Sequence, residues 1–263
     1  MALSGKIAVV TGAAMGIGKA ITEKLLQNSA KVALLDINED AATSFMEALQ
    51  KKYGPKNTLF QKCNVESEEE VKAAFKKTVE TFGGIDILCN NAGILNESTW
   101  EKMVSINLVS VIRVTYLALE HMNKLAGGRG GVIVNTSSLA GLGPLPSCPA
   151  YTATKHGVIG FTRATASAFE LSGYGIRVNA ICPAFVQTDL FTNIPERLGQ
   201  LSHLQEVSQH IVNQYGVMDV SKVADDFYEM LTDETKNGEA LMITGKERIY
   251  IPFPQMSTFF ESG

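Results

Sequence analysis

Residues 7–18, IAVVTGAAMGIG, followed at 31–36 by KVALLD, decide the fold of this chain. The first apolar run, rich in β-branched residues, reads as a buried strand, and it passes through Gly12, Gly16 and Gly18 into a stretch of helical period reaching Asn28. A second apolar run then ends on Asp36. Strand, glycine turn, helix and strand in that order open a parallel sheet, because parallel neighbours need a crossover long enough to hold a helix. The alternation continues outward through a helical stretch Glu39–Lys52, then TLFQKCNV, a helical stretch Glu68–Phe82 and IDILCNNAG. A long helix from about Trp100 to Leu125 stops at the glycine cluster Gly127 to Gly131, before VIVNTSS. A helix from about Ala150 to Glu170, the strand IRVNAICP and a last strand ALMIT complete the series.

We therefore expect an α/β, doubly wound, Rossmann-type parallel sheet of seven strands with helices on both faces, as a single domain over residues 1–263. Composition agrees: 45% hydrophobic and 19% charged residues describe a globular chain with ample core. A net charge of -4, with no concentrated basic patch, argues against a nucleic-acid partner, since phosphate binding needs clustered positive charge. No run of about 18 uncharged apolar residues predicts a membrane span, and the N-terminus shows no signal peptide. Cys63, Cys89, Cys148 and Cys182 are widely spaced and form no C-x-x-C pair, so we expect no metal site and read them as reduced thiols of a cytoplasmic protein.

Two stretches break the rhythm. Residues 187–216 carry helical periodicity without a strand and follow the strand ending at Pro183, where such folds place ligand-covering segments; we read a substrate lid, with a structural helical insertion as the alternative. The tail IYIPFPQMSTFF is apolar and proline-interrupted, suited to packing on the core or to lining a pocket or interface.

The glycines of Thr11 to Gly18 let backbone approach a pyrophosphate closely, and the helix they open presents unpaired N–H groups and partial positive charge. Asp36, at the end of the second strand, suits both hydroxyls of a ribose. Its charge would repel a 2′-phosphate, and neither Met15 nor Ile37 supplies the cation that such a phosphate requires, so the expected cofactor is NAD rather than NADP. A second constellation is Tyr151-x-x-x-Lys155, with Ser138 at the preceding strand's end and Asn107 in the long helix. The i, i+4 spacing puts phenol and ammonium on one helix face. A phenol, ordinarily a poor base with a pKa of about 10, would be acidified by that ammonium and by a positive nicotinamide. It could then take a proton from an alcohol whose oxygen Ser138 holds.

Together these residues resemble the short-chain dehydrogenase/reductase family over nearly the whole chain: the glycine motif, Asp36, Asn90-Asn91-Ala92-Gly93, Asn107, Ser138, Tyr151, Lys155 and Pro183 through Thr188. The resemblance implies a catalytic tetrad of Ser138, Tyr151, Lys155 and Asn107, the last positioning a water that completes a proton relay. It implies that Gly12, Met15, Gly16, Ile17, Gly18, Asp36 and Ile37 hold the cofactor, that Cys63, Asn64 and Val65 lie at its adenine, and that Asn91, Ala92 and Gly93 support it. Pro183, Val186 and Thr188, in the segment closing over the nicotinamide, and Tyr151 and Lys155 would also touch it. It further implies a homodimer paired through the two long helices.

Stretches such as Ile106 to Ile112, Ser137 to Leu142 and Asn179 to Pro183 resemble, within that family, the members that oxidise the 15-hydroxyl of prostaglandins and related hydroxy fatty acids. The implied substrate is thus a lipid-like alcohol, oxidised to the ketone, with Ser138, Cys148, Phe185 and Tyr215 at the substrate. Leu139, Leu142, Leu145, Leu190 and Phe191 are available to make the pocket apolar, and Arg197 or His203 are placed to meet a fatty-acid carboxylate. Three positions depart from the resembled members: Asn64 for an aspartate, which should cost little because an amide still accepts from the adenine amine, Ala184 for a glycine, where a methyl group narrows the approach to the nicotinamide, and Cys148 for a glutamine able to bond the reacting oxygen, which bears most on the substrate. A steroid, retinoid or sugar-like alcohol is the alternative substrate, and a non-catalytic NAD-binding scaffold the alternative class.

Overall fold

A computed structural model describes residues 3–253 of the chain. Its strands are β1 (Ile7–Thr11), β2 (Lys31–Asp36), β3 (Thr58–Lys62), β4 (Ile87–Asn90), β5 (Gly131–Thr136), β6 (Ile176–Pro183), β7 (Phe185–Val186), β8 (Val217–Met218), β9 (Ala240–Ile243) and β10 (Arg248–Tyr250). The main sheet runs β3-β2-β1-β4-β5-β6-β9-β10; every pairing is parallel except β9 with β10. The expected seven parallel strands are present, and the count is corrected to eight by the antiparallel edge strand. β10 needs no crossover helix, because the tight turn Thr244–Glu247 folds it straight back, Thr244 Oγ1 accepting from the backbone N–H of Glu247 at 2.9 Å. β7 and β8 form a separate parallel pair.

Alternation along each strand sorts the core into two layers. Ala8, Val10, Val32, Leu34, Ile87, Cys89, Val132 and Val134 face one side, against Ile21 and Leu25 of α1 (Gly16–Gln27), Phe45 and Leu49 of α2 (Glu39–Tyr53), and Val223 and Phe227. Val9, Ala33, Leu35, Leu88 and Ile133 face the other, against α3 (Glu68–Phe82) and the long helices. The helix starts follow capping chemistry: Asn38 accepts from the N–H of Ala41, and Ser67 from that of Glu70 beneath three first-turn glutamates. A helix not anticipated from the sequence, reaching Val220–Thr232, packs on α1; its apolar residues Val223, Phe227, Met230 and Leu231 recur at helical spacing.

The long helix expected over Trp100–Leu125 is interrupted. It comprises α4 (Trp100–Val104), a π-helical turn Ser105–Val109 and α5 (Ser110–Met122). The stretch Glu97–Met122 is long and apolar enough to cross a bilayer, yet Val114, Leu117, Ala118 and Met122 are buried in the second core layer and Arg113 interrupts it, which marks a core helix. The next helix, α6 (Pro149–Leu171), is the longest. Residues 187–216 form α7 (Asp189–Thr192), two 3-10 turns and α8 (Gln205–Tyr215), and the unanticipated helix at Val220–Thr232 is α9. Of the tail, the Arg163 guanidinium lies 4.2 Å from the ring centroid of Phe253; the remainder, from Pro254, lies outside the described residues.

Candidate active site

Strand order reverses between β1 and β4, which opens a crevice at the carboxyl edge of the sheet. A cavity of about 1810 Å³ occupies it. The glycine turn is its floor. Gly12 and Gly16 adopt φ of +63° and +53°, and a Cβ on Gly12 would stand 2.9 Å from the Ala92 Cα. A Cβ on Gly18 would lie 2.0 Å from the Gly12 carbonyl oxygen and 2.6 Å from Asn91 Nδ2, so this glycine serves helix–strand packing and does not line the cavity. Thr11 ties the turn to the next strand: its Oγ1 accepts from the N–H groups of Asn91 (3.0 Å) and Ala92 (3.1 Å), while Asn91 Nδ2 donates to the Thr11 and Gly12 carbonyls.

Asp36 closes β2 over the same floor. Its two carboxylate oxygens accept from Ala14 N and Asn38 N at 2.8 and 2.9 Å. A carboxylate offers about four acceptor sites, so capacity remains for a pair of ribose hydroxyls. Met15, Gly16, Ile17, Ile37, Cys63, Asn64, Val65, Asn91, Ala92 and Gly93 line this half of the cavity with Gly12 and Asp36, and Pro183, Val186 and Thr188 line it from the far side. The glycine cradle and the spare acceptors of Asp36 fit a dinucleotide. Lys19, which sequence reasoning left aside, also lines the cavity, with its ammonium 4.9 Å from the Phe45 ring centroid.

Tyr151, on the first turn of α6, and Ser138, just past the end of β5, line the other half, and the Ser138 hydroxyl accepts from Ala140 N at 3.2 Å. Lys155, one turn on, is buried; its Nζ donates to the Thr136 carbonyl at 2.9 Å and stands 5.5 Å from the Tyr151 ring centroid. Burial pushes the Tyr151 phenol up to about 12, against the pull of the Ser138 hydrogen bond. Burial also holds the Lys155 ammonium down at about 8. The expected acidification of Tyr151 by Lys155 is therefore not achieved by the protein's own charges: desolvation of the phenol outweighs an ammonium whose hydrogen bond goes elsewhere.

Asn107 sits inside the π-helical turn, fully buried. Its Oδ1 accepts from Ile94 N and its Nδ2 donates to Ile94 O, both at 2.8 Å, so it pins the loop that follows Gly93. A Cβ on Gly93 would stand 3.3 Å from Asn107 Oδ1 and 3.6 Å from Lys155 Nζ, which brings asparagine and lysine to one spot behind the cavity wall.

Phe185 and Tyr215 line the cavity with Leu139, Leu142, Leu145, Leu190 and Phe191. Cys148 does not. It is fully buried in one cluster with Tyr151, Leu95, Met103 and Leu198, its thiol pushed up to about 11 by burial, so it packs beside the phenol without being among the residues that line the cavity. Arg197 and His203, on the two 3-10 turns of the 187–216 segment, are not among the residues that line the cavity. Sequence reasoning missed Glu97. Its carboxylate accepts from the N–H groups of Tyr151 (2.9 Å) and Ala150 (3.2 Å), capping a helix start whose own cap position, Cys148, has no side-chain cap bond. A separation of 54 residues leaves no local signal for such a contact.

Comparison with known proteins gives consistent relatives. A family model described as short chain dehydrogenase matches residues 6–199. The 15-hydroxyprostaglandin dehydrogenase [NAD(+)] of Macaca fascicularis is 45% identical over 95% of this chain and 95% of its own length. That of Rattus norvegicus is 44% identical over 98% and 99%. Among solved structures, levodione reductase superposes with a TM-score of 0.80 at 27% identity, covering 92% of this chain and 97% of that one.

Proposed function

The chain belongs to the short-chain dehydrogenase family, and from that premise we propose that it oxidises a secondary alcohol on a hydroxylated lipid, a 15-hydroxyprostaglandin or related hydroxy fatty acid, to the ketone with NAD as cofactor. The observation that carries the reading is that Tyr151 and Ser138 share the wall of a cavity whose other half is a glycine cradle closed by Asp36. When bound, oxidised NAD supplies the hydride-accepting ring and a positive charge. Ser138 holds the substrate oxygen, and Tyr151 as phenolate takes its proton. Lys155, fixed by the Thr136 carbonyl, adds an ammonium behind the phenol, and Asn107 holds the Ile94 loop in place beside it.

The apolar walls support a lipid-like substrate, and Gln187, Leu190, Phe191, Ile194, Ile211, Gln214 and Tyr215 of the 187–216 segment cover the cavity as a lid would. On α5 and α6, Tyr116 is half-exposed and its ring meets that of Phe161 edge-on at 5.9 Å, an outward aromatic patch that supports the homodimer implied by the long helices. The four cysteines are buried and free, in keeping with a reducing cytoplasmic setting. The test is NADH formation from a panel of secondary alcohols with kcat/KM compared: a 15-hydroxylated eicosanoid should lead the panel, and a steroid or small alcohol ahead of it would overturn the substrate assignment. Light scattering should give a dimer mass.

A further inference from the structure

A second cavity of about 300 Å³ lies beside the first, between the loop preceding α6 and the lid helix α8. The two share Leu145, Phe185, Gln187, Phe191 and Ile194, so the side cavity adjoins the active-site space as an annex behind a wall that includes the Phe185–Phe191 pair, whose centroids are 5.7 Å apart. Pro195 and Val212 extend its apolar lining, the exposed Gln187, Thr192, Gln205 and Gln209 make its rim, and no charged side chain lines it. Its two buried hydroxyls, Ser147 and Ser208, bond to each other across 2.5 Å and so ask nothing of a ligand.

Resting on the lipid-alcohol reading above, we propose that this annex receives the uncharged hydrocarbon end of the substrate, the carbons beyond the reacting carbinol, while the carboxylate-bearing arm stays in the larger cavity. A carboxylate in the annex would meet no cation, whereas a hydrocarbon tail gains from every methylene buried against Leu145, Phe185, Phe191 and Val212. By liquid volume the space matches about ten water-sized units, enough for a tail of several carbons. The annex therefore fixes which way the chain runs past Tyr151 and selects for a tail of finite length.

The experiment holds the carboxylate arm constant and varies the tail: 15-hydroxyhexadecanoic acid has one carbon beyond the carbinol, 15-hydroxyeicosanoic acid five. The protein should favour the longer acid by at least about tenfold in kcat/KM, since even one methylene in an apolar pocket is worth roughly tenfold or more. Val212→Trp, which fills the annex from α8, should bring that ratio to within about threefold of unity by a loss falling on the long-tailed acid. Gln209→Trp, on an exposed position of the same helix, tests the point independently of any folding defect at Val212. Equal kcat/KM for the two acids in the unmodified protein, or equal loss for both in the tryptophan variants, overturns the annex while leaving the alcohol-dehydrogenase reading intact. Oxidation of neither acid overturns both.

Discussion

Lys155→Met should make the ligand-free protein more stable at neutral pH while abolishing turnover. Lys155 is only 4% exposed, and burial lowers its ammonium from 10.5 to about 8. That drop corresponds to about 3 kcal/mol by which the folded state disfavours the charge. The hydrogen bond to the Thr136 carbonyl offsets part of the cost, since a bond to a charged group contributes about 1.5–3 kcal/mol. Methionine keeps the volume without the charge. The pH dependence isolates the effect: between about 8 and 10.5 the unfolded chain holds the lysine proton and the folded protein does not, so wild-type stability rises with pH across that window. Tyr151 and the buried cysteines act in the opposite sense, because burial raises their folded-state values and stability falls above their unfolded ones; they remain in both proteins and largely cancel in the difference, Cys182 excepted because the Lys155 charge lowers its value in the unmodified protein. Denaturant unfolding at a series of pH values should therefore show the advantage of the methionine variant shrinking by about 3 kcal/mol between pH 7 and pH 10.5. A pH-independent difference would refute the argument that this lysine is held charged at the expense of stability.

Three other substitutions probe the supports of the site. Gly18→Ala would drive a Cβ into the Gly12 carbonyl, and calorimetry should show a loss of about 3 kcal/mol or more together with weakened NADH binding. Asp36→Ala removes the carboxylate acceptors and the repulsion toward a 2′-phosphate, so kcat/KM with NAD should fall at least tenfold and the NAD to NADP ratio should drop further still. Glu97→Ala leaves the first turn of α6 uncapped, costing about 1–2 kcal/mol and lowering kcat; Glu97→Gln, which keeps an acceptor, should restore most of both in parallel thermal and steady-state assays.

The sheet was legible because each strand is a short apolar run and each crossover a helical one, and the glycine turn with Asp36 marks the switch point from sequence alone. What escaped has local causes. Arg248-Ile249-Tyr250 is too short and too polar at its flanks to stand out, and only the Thr244 turn makes it a strand. The π-helical turn at Ser105–Val109 keeps the apolar period of an ordinary helix and is set by Asn107 reaching the Ile94 backbone, a tertiary contact. Cys148 shows the same limit at the site: Tyr151 lines the cavity, while Cys148, three residues before it, is fully buried in a cluster with Tyr151, Leu95 and Met103. Proximity in sequence to a reactive residue does not report how deeply a side chain is buried.

The most direct measurement compares Tyr151→Phe with the unmodified protein, using a 15-hydroxylated eicosanoid and NAD for turnover and fluorescence titration for NADH binding. Phenylalanine preserves the ring packed in α6 and removes only the hydroxyl. The account predicts a fall in kcat of about a thousandfold, the scale of a lost general base, with NADH affinity within about threefold. Retention of a tenth or more of the activity would contradict it.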